Sequence, residues 1–277
     1  MQTFNFSVKQ FKSFDSLGFS AEEYSKLKYG SKRVARLFGT ELGKDFLKHL
    51  SFNSGLNELL KGKEIVVASA PYKFIPVAST ILKDYFVSIF NTKWVENEAS
   101  LQDLKVFRGH SYNDDYGSMT QEQRDAVIGS DNFYIDKEFI KGKVLFFIDD
   151  IKITGSHERR IKSLLESVGF EGTVVFLYYA MYEGTGHPNI ENQLNYGFVK
   201  QGKDDLLKIN YIIQNDEFIF NTRVTKYILA ANHKVFCNFI DYQTKTFRNT
   251  LLTYLCGNEY NRLEEFKENI NYLKTKI

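Results

Sequence analysis

The chain has 277 residues, 43% hydrophobic and 25% charged, which fits one large or two small globular domains and excludes wholesale disorder. Its two cysteines, Cys237 and Cys256, exclude a disulfide framework or a Cys-rich zinc module. The net charge of +2 lacks the basic excess of a dedicated nucleic-acid binder, so nucleic acid is not expected as a partner. The opening MQTFNFSVKQFKSFDS has no apolar run of signal-peptide length, and no stretch approaches the ~20 apolar residues of a membrane span. A cytoplasmic location and no membrane partner are therefore expected.

Residues 1–60 read as a helical N-terminal segment. Ser20 suits a helix cap, with Glu22 and Glu23 in the first turn, where acids complement the helix dipole. Ser31 opens a second pattern, and Val34, Leu37, Phe38, Leu42, Phe46 and Leu50 recur at helical spacing. Residues 1–36 carry a local positive excess, either a solvated face or a field that draws anions to a nearby site. Glu64-Ile-Val-Val-Ala-Ser69 is a β-branched run of the kind that fills a buried parallel strand. It ends in Ser69-Ala-Pro-Tyr-Lys-Phe-Ile-Pro76, a turn-forming segment, and a helical stretch follows over 77–95. Residues 104–108 form a second candidate strand.

A polar stretch over 109–131 comes next, long for a loop inside a compact domain. Residues 144–148, all apolar, read as the clearest strand, leading into Asp149-Asp150 and Thr154-Gly155-Ser156. A helix is predicted over 157–168, closed by Gly169, and a fourth strand over 172–180. Strand, helix, strand, loop, strand, helix, strand is the order of an α/β domain with a parallel sheet. Residues 190–277 read mostly as helices, at 204–214, 221–232 and 262–273. Three parts follow: a helical segment over 1–60, an α/β core over 61–185 and a helical C-terminal appendage over 186–277. Trp94, Tyr178 and Tyr179 read as core, and His187 as a loop residue.

The chemistry concentrates in residues 144–156. A buried strand delivers two adjacent carboxylates to the carboxyl end of the sheet, where open α/β sheets bind ligands. The Thr-Gly-Ser turn offers backbone N–H groups and hydroxyls at a helix N-terminus, a setting that suits a phosphate. Acids beside a phosphate cradle make sense if they accept hydrogen bonds from sugar hydroxyls or face Mg²⁺. A ribose 5-phosphate unit satisfies both halves. Placed past the strand end, the acids are expected to serve binding and not to hold the fold. No P-loop and no Gly-x-Ser-x-Gly elbow occurs, and the five histidines show no metal spacing.

This segment resembles the ribose-phosphate motif of type I phosphoribosyltransferases: apolar residues, two acids, a short spacer, then Thr-Gly-small. Lys28-Tyr-Gly-Ser31, Ala35-Arg-Leu-Phe-Gly39, Ser69-Ala-Pro-Tyr-Lys-Phe-Ile-Pro76, Tyr112-Asn-Asp-Asp-Tyr-Gly117 and Ile148-Asp-Asp-Ile-Lys-Ile-Thr-Gly-Ser-His-Glu158 look like the divergent ComF-like branch found with bacterial tellurium- and stress-resistance gene clusters. The resemblance implies a type I phosphoribosyltransferase-like parallel sheet flanked by helices, with the C-terminal helices as a hood. It implies a transferase that joins phosphoribosyl diphosphate to a base-like nitrogen acceptor and releases diphosphate, and it allows a homodimer. A non-catalytic regulator that binds phosphoribosyl diphosphate or a nucleotide is the alternative. By resemblance, Asp149 and Asp150 meet the ribose hydroxyls and face Mg²⁺ indirectly, through its diphosphate complex. Lys152, Ile153, Thr154, Gly155, Ser156 and His157 wrap the 5-phosphate. Lys73, the backbone around Ala70, and Arg108 take the diphosphate. Residues 109–131 are expected to close over the site, with Arg108, His110, Tyr112 and Tyr116 in reach of substrate. Ile153 and His157 stand where many members carry Thr, and Lys152 where many carry an aliphatic residue.

Overall fold

The computed structural model describes residues 1–94, 100–109, 133–184 and 189–277. Five strands form one parallel sheet: β1 (Gln2–Phe11), β2 (Ile65–Ser69), β3 (Leu101–Asp103), β6 (Val144–Lys152) and β7 (Thr173–Tyr182), in the order β1-β7-β6-β2-β3. A short antiparallel ribbon joins β4 (Phe107–Arg108) to β5 (Phe133–Tyr134). The central strands are apolar on both faces because helices cover both. One face packs under α2 (Lys32–Phe52) and α4 (Ala78–Trp94), through Val67, Phe146, Ile148, Val175 and Leu177. The other packs on α5 (Lys137–Ile140) and α6 (Ser156–Ser167), through Val66, Leu145, Phe147, Val174 and Phe176.

The expected α/β order is present, but the sheet strand predicted over 104–108 is Leu101–Asp103, with Phe107–Arg108 in the separate ribbon, and one element of the N-terminal segment also differs from the reading above. Residues 2–11 are the edge strand β1, paired to β7 from Gln2↔Thr173 to Phe11↔Tyr182. Phe4, Phe6 and Val8 lie on one side of it, against the core, the period of two that a strand requires. Helices begin only at α1 (Ala21–Lys28), where the Ser20 side chain accepts from the Glu23 amide as expected, followed by α2 and α3 (Ser54–Leu60). Trp94 is buried, and the Tyr179 ring stacks on Phe38 with centroids 3.8 Å apart.

The C-terminal part comprises α7 (Asn189–Asn195), α8 (Leu207–Asn215), α9 (Thr222–Leu229), α10 (His233–Asp241), α11 (Lys245–Gly257) and α12 (Lys267–Lys274). Helices α8 to α12 enclose a second apolar core, which Tyr29 and Ile75 enter from the N-terminal part. Gly30 makes that entry possible. Its φ is +98°, and a Cβ there would stand 2.6 Å from the Ile219 carbonyl oxygen. Gly39 serves the sheet side in the same way, where a Cβ on α2 would lie 2.3 Å from the Leu82 carbonyl oxygen of α4. Two glycines of the motifs near residues 28–39 are thus places of close backbone approach.

The local cationic excess is largely consumed by ion pairs. Arg33 meets Glu23 and Asp216, Arg36 meets Glu217, Lys26 meets Glu22, and Lys28 meets Asp150. Two of these, Arg33 with Asp216 and Arg36 with Glu217, tie α2 to the turn after α8. Among the described residues no helix is long and apolar enough to cross a membrane.

Candidate active site

Strand β6 outruns its neighbour β2. Ladder pairing with β2 ends at Ser69↔Ile148, while pairing with β7 continues through Asp149↔Tyr178 to Lys152↔Met181. Asp149 and Asp150 therefore lie inside the strand, not past its end as the sequence suggested, but beyond the edge of the neighbouring strand. Because successive side chains alternate across a strand, the two acids point to opposite faces. Asp150 shares the face of Phe146 and Ile148, under α1. Its Oδ2 accepts from the Tyr24 hydroxyl at 2.7 Å and the Lys28 ammonium at 2.6 Å. Asp149 shares the face of Leu145 and Phe147, and its Oδ2 meets His157 Nδ1 of α6 at 3.0 Å.

The electrostatics follow from these partners. Burial alone would raise the Asp150 carboxyl, but the Lys28 charge and hydrogen bonds from Asp149, Lys28 and Tyr24 hold it well below the usual carboxylate range. Asp149 is pushed up, first by burial and then by the neighbouring Asp150 charge. For His157, partial desolvation opposes the charged form, yet the hydrogen bond and charge of Asp149 win and raise its pKa.

These acids line a cavity of about 490 Å³ between the sheet and the C-terminal helices. Of the sequence-selected residues, Ala70, Lys73, Arg108, Asp149, Asp150 and His157 share this wall. The segment after β2 is held by the C-terminal part. The Phe74 and Ile75 amides donate to Asn258 Oδ1 at 3.0 and 2.9 Å, and Lys73 pairs with Glu259. Lys152, Ile153, Thr154, Gly155 and Ser156 are not in the wall. The Thr154 and Ser156 hydroxyls lie 2.8 Å apart, and Arg159 donates to the Thr154 carbonyl and to Ser156 Oγ. Lys152 donates to buried Glu158 at 2.5 Å, which also takes Lys162 and the Tyr178 hydroxyl. His110, Tyr112, Tyr116, His187 and nearly all of the 109–131 stretch lie outside the described residues.

Several wall residues were not selected as site residues from the sequence. Lys28 and Tyr29 come from α1 and the turn after it, Arg160 from α6, and Arg223, Lys226 and Tyr227 from α9; Tyr24 stands behind the wall, on Asp150. The motif Lys28-Tyr-Gly-Ser31 held part of the signal for them. A larger hollow of about 670 Å³ lies at the amino ends of β6 and β7, around Lys63, Val144 and Thr173, away from the acid pair.

Among the described residues no three His, Cys, Asp or Glu side chains gather as a metal site. The donor set is poor for a bare cation, because the Lys28 ammonium already occupies Asp150 Oδ2 and a second positive charge would be repelled. The same residues fit a cation that arrives with its own anions, as a Mg–diphosphate complex does.

The family model for ComF-like phosphoribosyltransferases matches residues 3–273. The chain belongs to the ComF-like phosphoribosyltransferase family. No curated protein matches it. Among solved structures it is similar to a hypoxanthine phosphoribosyltransferase from Staphylococcus aureus in two crystal forms. The orthorhombic form is 14% identical over 58% of this chain and 74% of that one, with a TM-score of 0.31. The tetragonal form is 15% identical over 64% and 86%, with a TM-score of 0.29. In this ComF-like chain the acid pair, the Lys73 segment and Arg108 converge on one cavity.

Proposed function

We propose that the protein transfers a phosphoribosyl group from phosphoribosyl diphosphate to a nitrogen of a base-like acceptor, releasing diphosphate. The observation that carries this reading is the acid pair of β6, Asp150 held by Lys28 and Asp149 by His157, on a cavity that cations also line. Asp149 and Asp150 accept from the ribose hydroxyls. The bond from the anomeric carbon to diphosphate breaks with its electron pair going to diphosphate. The acceptor nitrogen lone pair forms the new bond, and a proton on that nitrogen, where it bears one, passes to water. The buried carboxylates steady positive charge on the ribosyl carbon, and Lys73 and Arg108 neutralise the leaving group. Asp149 and Asp150 would face Mg²⁺ indirectly, through the ribose hydroxyls, and the ion supplies further charge neutralisation to diphosphate. Residues Lys152 to His157 remain the proposed 5-phosphate binders, with Arg160 as an added cation in reach of the cavity.

A second reading, ligand binding without turnover, has one observation in its favour. Lys152, Thr154 and Ser156 are already bonded within the protein, so phosphate must displace internal partners. Two measurements separate the readings. A thermal melt with millimolar phosphoribosyl diphosphate and Mg²⁺ should rise, since a ligand at a hundredfold excess over Kd adds about 2.7 kcal/mol. Diphosphate release with a metabolite extract should then appear for an enzyme and be absent for a regulator. An unchanged melt in folded protein overturns both readings.

A further inference from the structure

The segment after β2 forms one side of the cavity as far as the first turn of α4, where Val77, Ala78 and Ser79 are in the wall. That turn is tied on two sides. Thr80 Oγ1 lies 2.8 Å from Ser69 Oγ at the end of β2. Thr222 of α9 donates its hydroxyl to the Ile75 carbonyl at 2.8 Å and its amide to the Pro76 carbonyl at 2.9 Å. The amino end of α4 is thereby held on the same wall as Ala70 and Lys73.

A helix leaves its first amides without an intrahelical acceptor, and a Ser, Thr, Asp or Asn before the helix commonly supplies one. Ser31 serves α2 and Asn221 serves α9 in this way. Val77, which precedes α4, has no side-chain acceptor to give. The Thr80 amide turns back to the Val77 carbonyl at 3.1 Å, while the Ala78 and Ser79 amides have no protein acceptor among the described residues. A second observation is independent of the backbone. Ser79 is only 2% exposed, and its hydroxyl has no hydrogen-bond partner.

A buried hydroxyl without a partner is destabilising, and native proteins keep few of them. This one belongs to the wall of a ligand-sized cavity, at the positive end of a helix of 17 residues. The cation of the same segment, Lys73, is by contrast paired with Glu259. Two amides, a hydroxyl and a helix dipole suit a group that offers several acceptor oxygens, as a phosphoryl group does. A sugar hydroxyl fits less well, because its proton needs an acceptor that amides cannot supply.

We infer that the amino end of α4 receives the diphosphate of phosphoribosyl diphosphate, with Ser79 Oγ donating to a phosphoryl oxygen beside the Ala78 and Ser79 amides. This inference rests on the phosphoribosyl-transfer reading and adds a binding residue to that site. The Ser79 hydroxyl turns on a single side-chain bond, so it meets an arriving oxygen without a shift of the helix.

The test titrates the full chain by calorimetry, in Mg²⁺, with phosphoribosyl diphosphate, inorganic diphosphate and ribose 5-phosphate, the last of which lacks only the diphosphate. Ser79→Ala should weaken both diphosphate probes by about tenfold, the scale of a hydrogen bond to a charged group. Ribose 5-phosphate should bind parent and variant within about twofold, as expected where contacts are separate. Without ligand the variant should melt no lower than the parent, because it loses only an unpaired hydroxyl. Ser79→Cys, close in size and a weak donor, should repeat the loss, and it decides the matter where the alanine variant does not fold. An unchanged affinity for phosphoribosyl diphosphate in the folded variant overturns the inference. So does an equal loss for ribose 5-phosphate, which would place the contact away from the diphosphate. Failure of phosphoribosyl diphosphate to bind the parent protein instead overturns the underlying reading of function, which marks the two failures apart.

Discussion

The Lys28 ammonium stands 2.6 Å from Asp150 Oδ2, the same oxygen that accepts the Tyr24 hydroxyl. An element some 120 residues earlier in the chain thus supplies the counter-charge for a site carboxylate. Both partners are largely enclosed, with side-chain exposures of 14% and 5%. Removing one partner of such a pair strands the other charge in a poorly solvated place.

Lys28→Met should therefore destabilise the protein by about 3 kcal/mol, in the range for breaking a buried ion pair. Urea unfolding of the ligand-free protein measures this. The double variant Lys28→Met with Asp150→Asn should lose clearly less than the two single losses added together, since each single change leaves an orphan that the double change removes. Strict additivity would show that the pair contributes nothing to the fold.

Metal dependence should divide cleanly between the free and the liganded protein. With Lys28 on Asp150 and His157 on Asp149, the free protein should melt at the same temperature in EDTA and in 5 mM Mg²⁺ (roughly physiological excess over any weak site). Stabilisation by phosphoribosyl diphosphate should need Mg²⁺. A melt that rises with Mg²⁺ alone would mean that the acids bind metal directly.

The Asp149–His157 pair gives a signature near neutral pH. His157 has a raised pKa in the folded state, so its contribution is complete below the unfolded value of about 6.5 and is lost as pH rises through the higher folded value. The ring is 54% exposed, so solvent screening keeps the effect under about 1 kcal/mol. Stability should decline as pH rises above about 6.5 in the parent protein and be flat over the same range in His157→Gln. Parallel curves for the two proteins would refute the assignment.

Glu158 sets the acid limb. It is buried under Lys152, Lys162 and Tyr178. Burial opposes its charge, but the two lysines dominate and bring its pKa from 4.5 down to about 2. Its contribution is present above the unfolded value and is lost as pH falls toward the folded one. At about 1.4 kcal/mol per unit this amounts to roughly 3 kcal/mol. Glu158→Gln should lower stability at pH 7 and flatten its loss between pH 4.5 and 2, as read by circular dichroism.

Much of this molecule is legible in the sequence because its signals are local. The apolar run before Asp149-Asp150 and the Thr-Gly turn after it are contiguous, so the strand, the acids and the helix after them could be placed together. Edge strand β1 was hidden because Phe4, Phe6 and Val8 alternate with polar residues near an Asp- and Ser-rich turn, a weaker pattern than the helical stripe that follows. The partners of Asp150 were hidden for a different reason. Nothing in Tyr24 or Lys28 marks a helix end that will dock 120 or so residues away. The same holds for Arg223 and Lys226, which reach the cavity wall because α9 is tied to α1 and to the segment after β2. Extending β6 past β2 also changed the standing of the acids, from appendages of a loop to members of a sheet.

The pairing of β1 with β7 has a consequence for how the chain is made. Strand β1 finds its sheet neighbour among the described residues about 170 residues later in the chain. At about 5–20 residues per second, synthesis of that interval takes roughly ten seconds or longer. Through this time Phe4, Phe6 and Val8 have no sheet face to cover, and the backbone of β1 offers an open ladder to other nascent chains. Closure of the sheet at β1 is therefore a late, long-range event. Crowded synthesis, more than heat applied to the finished protein, is the condition under which this edge is exposed.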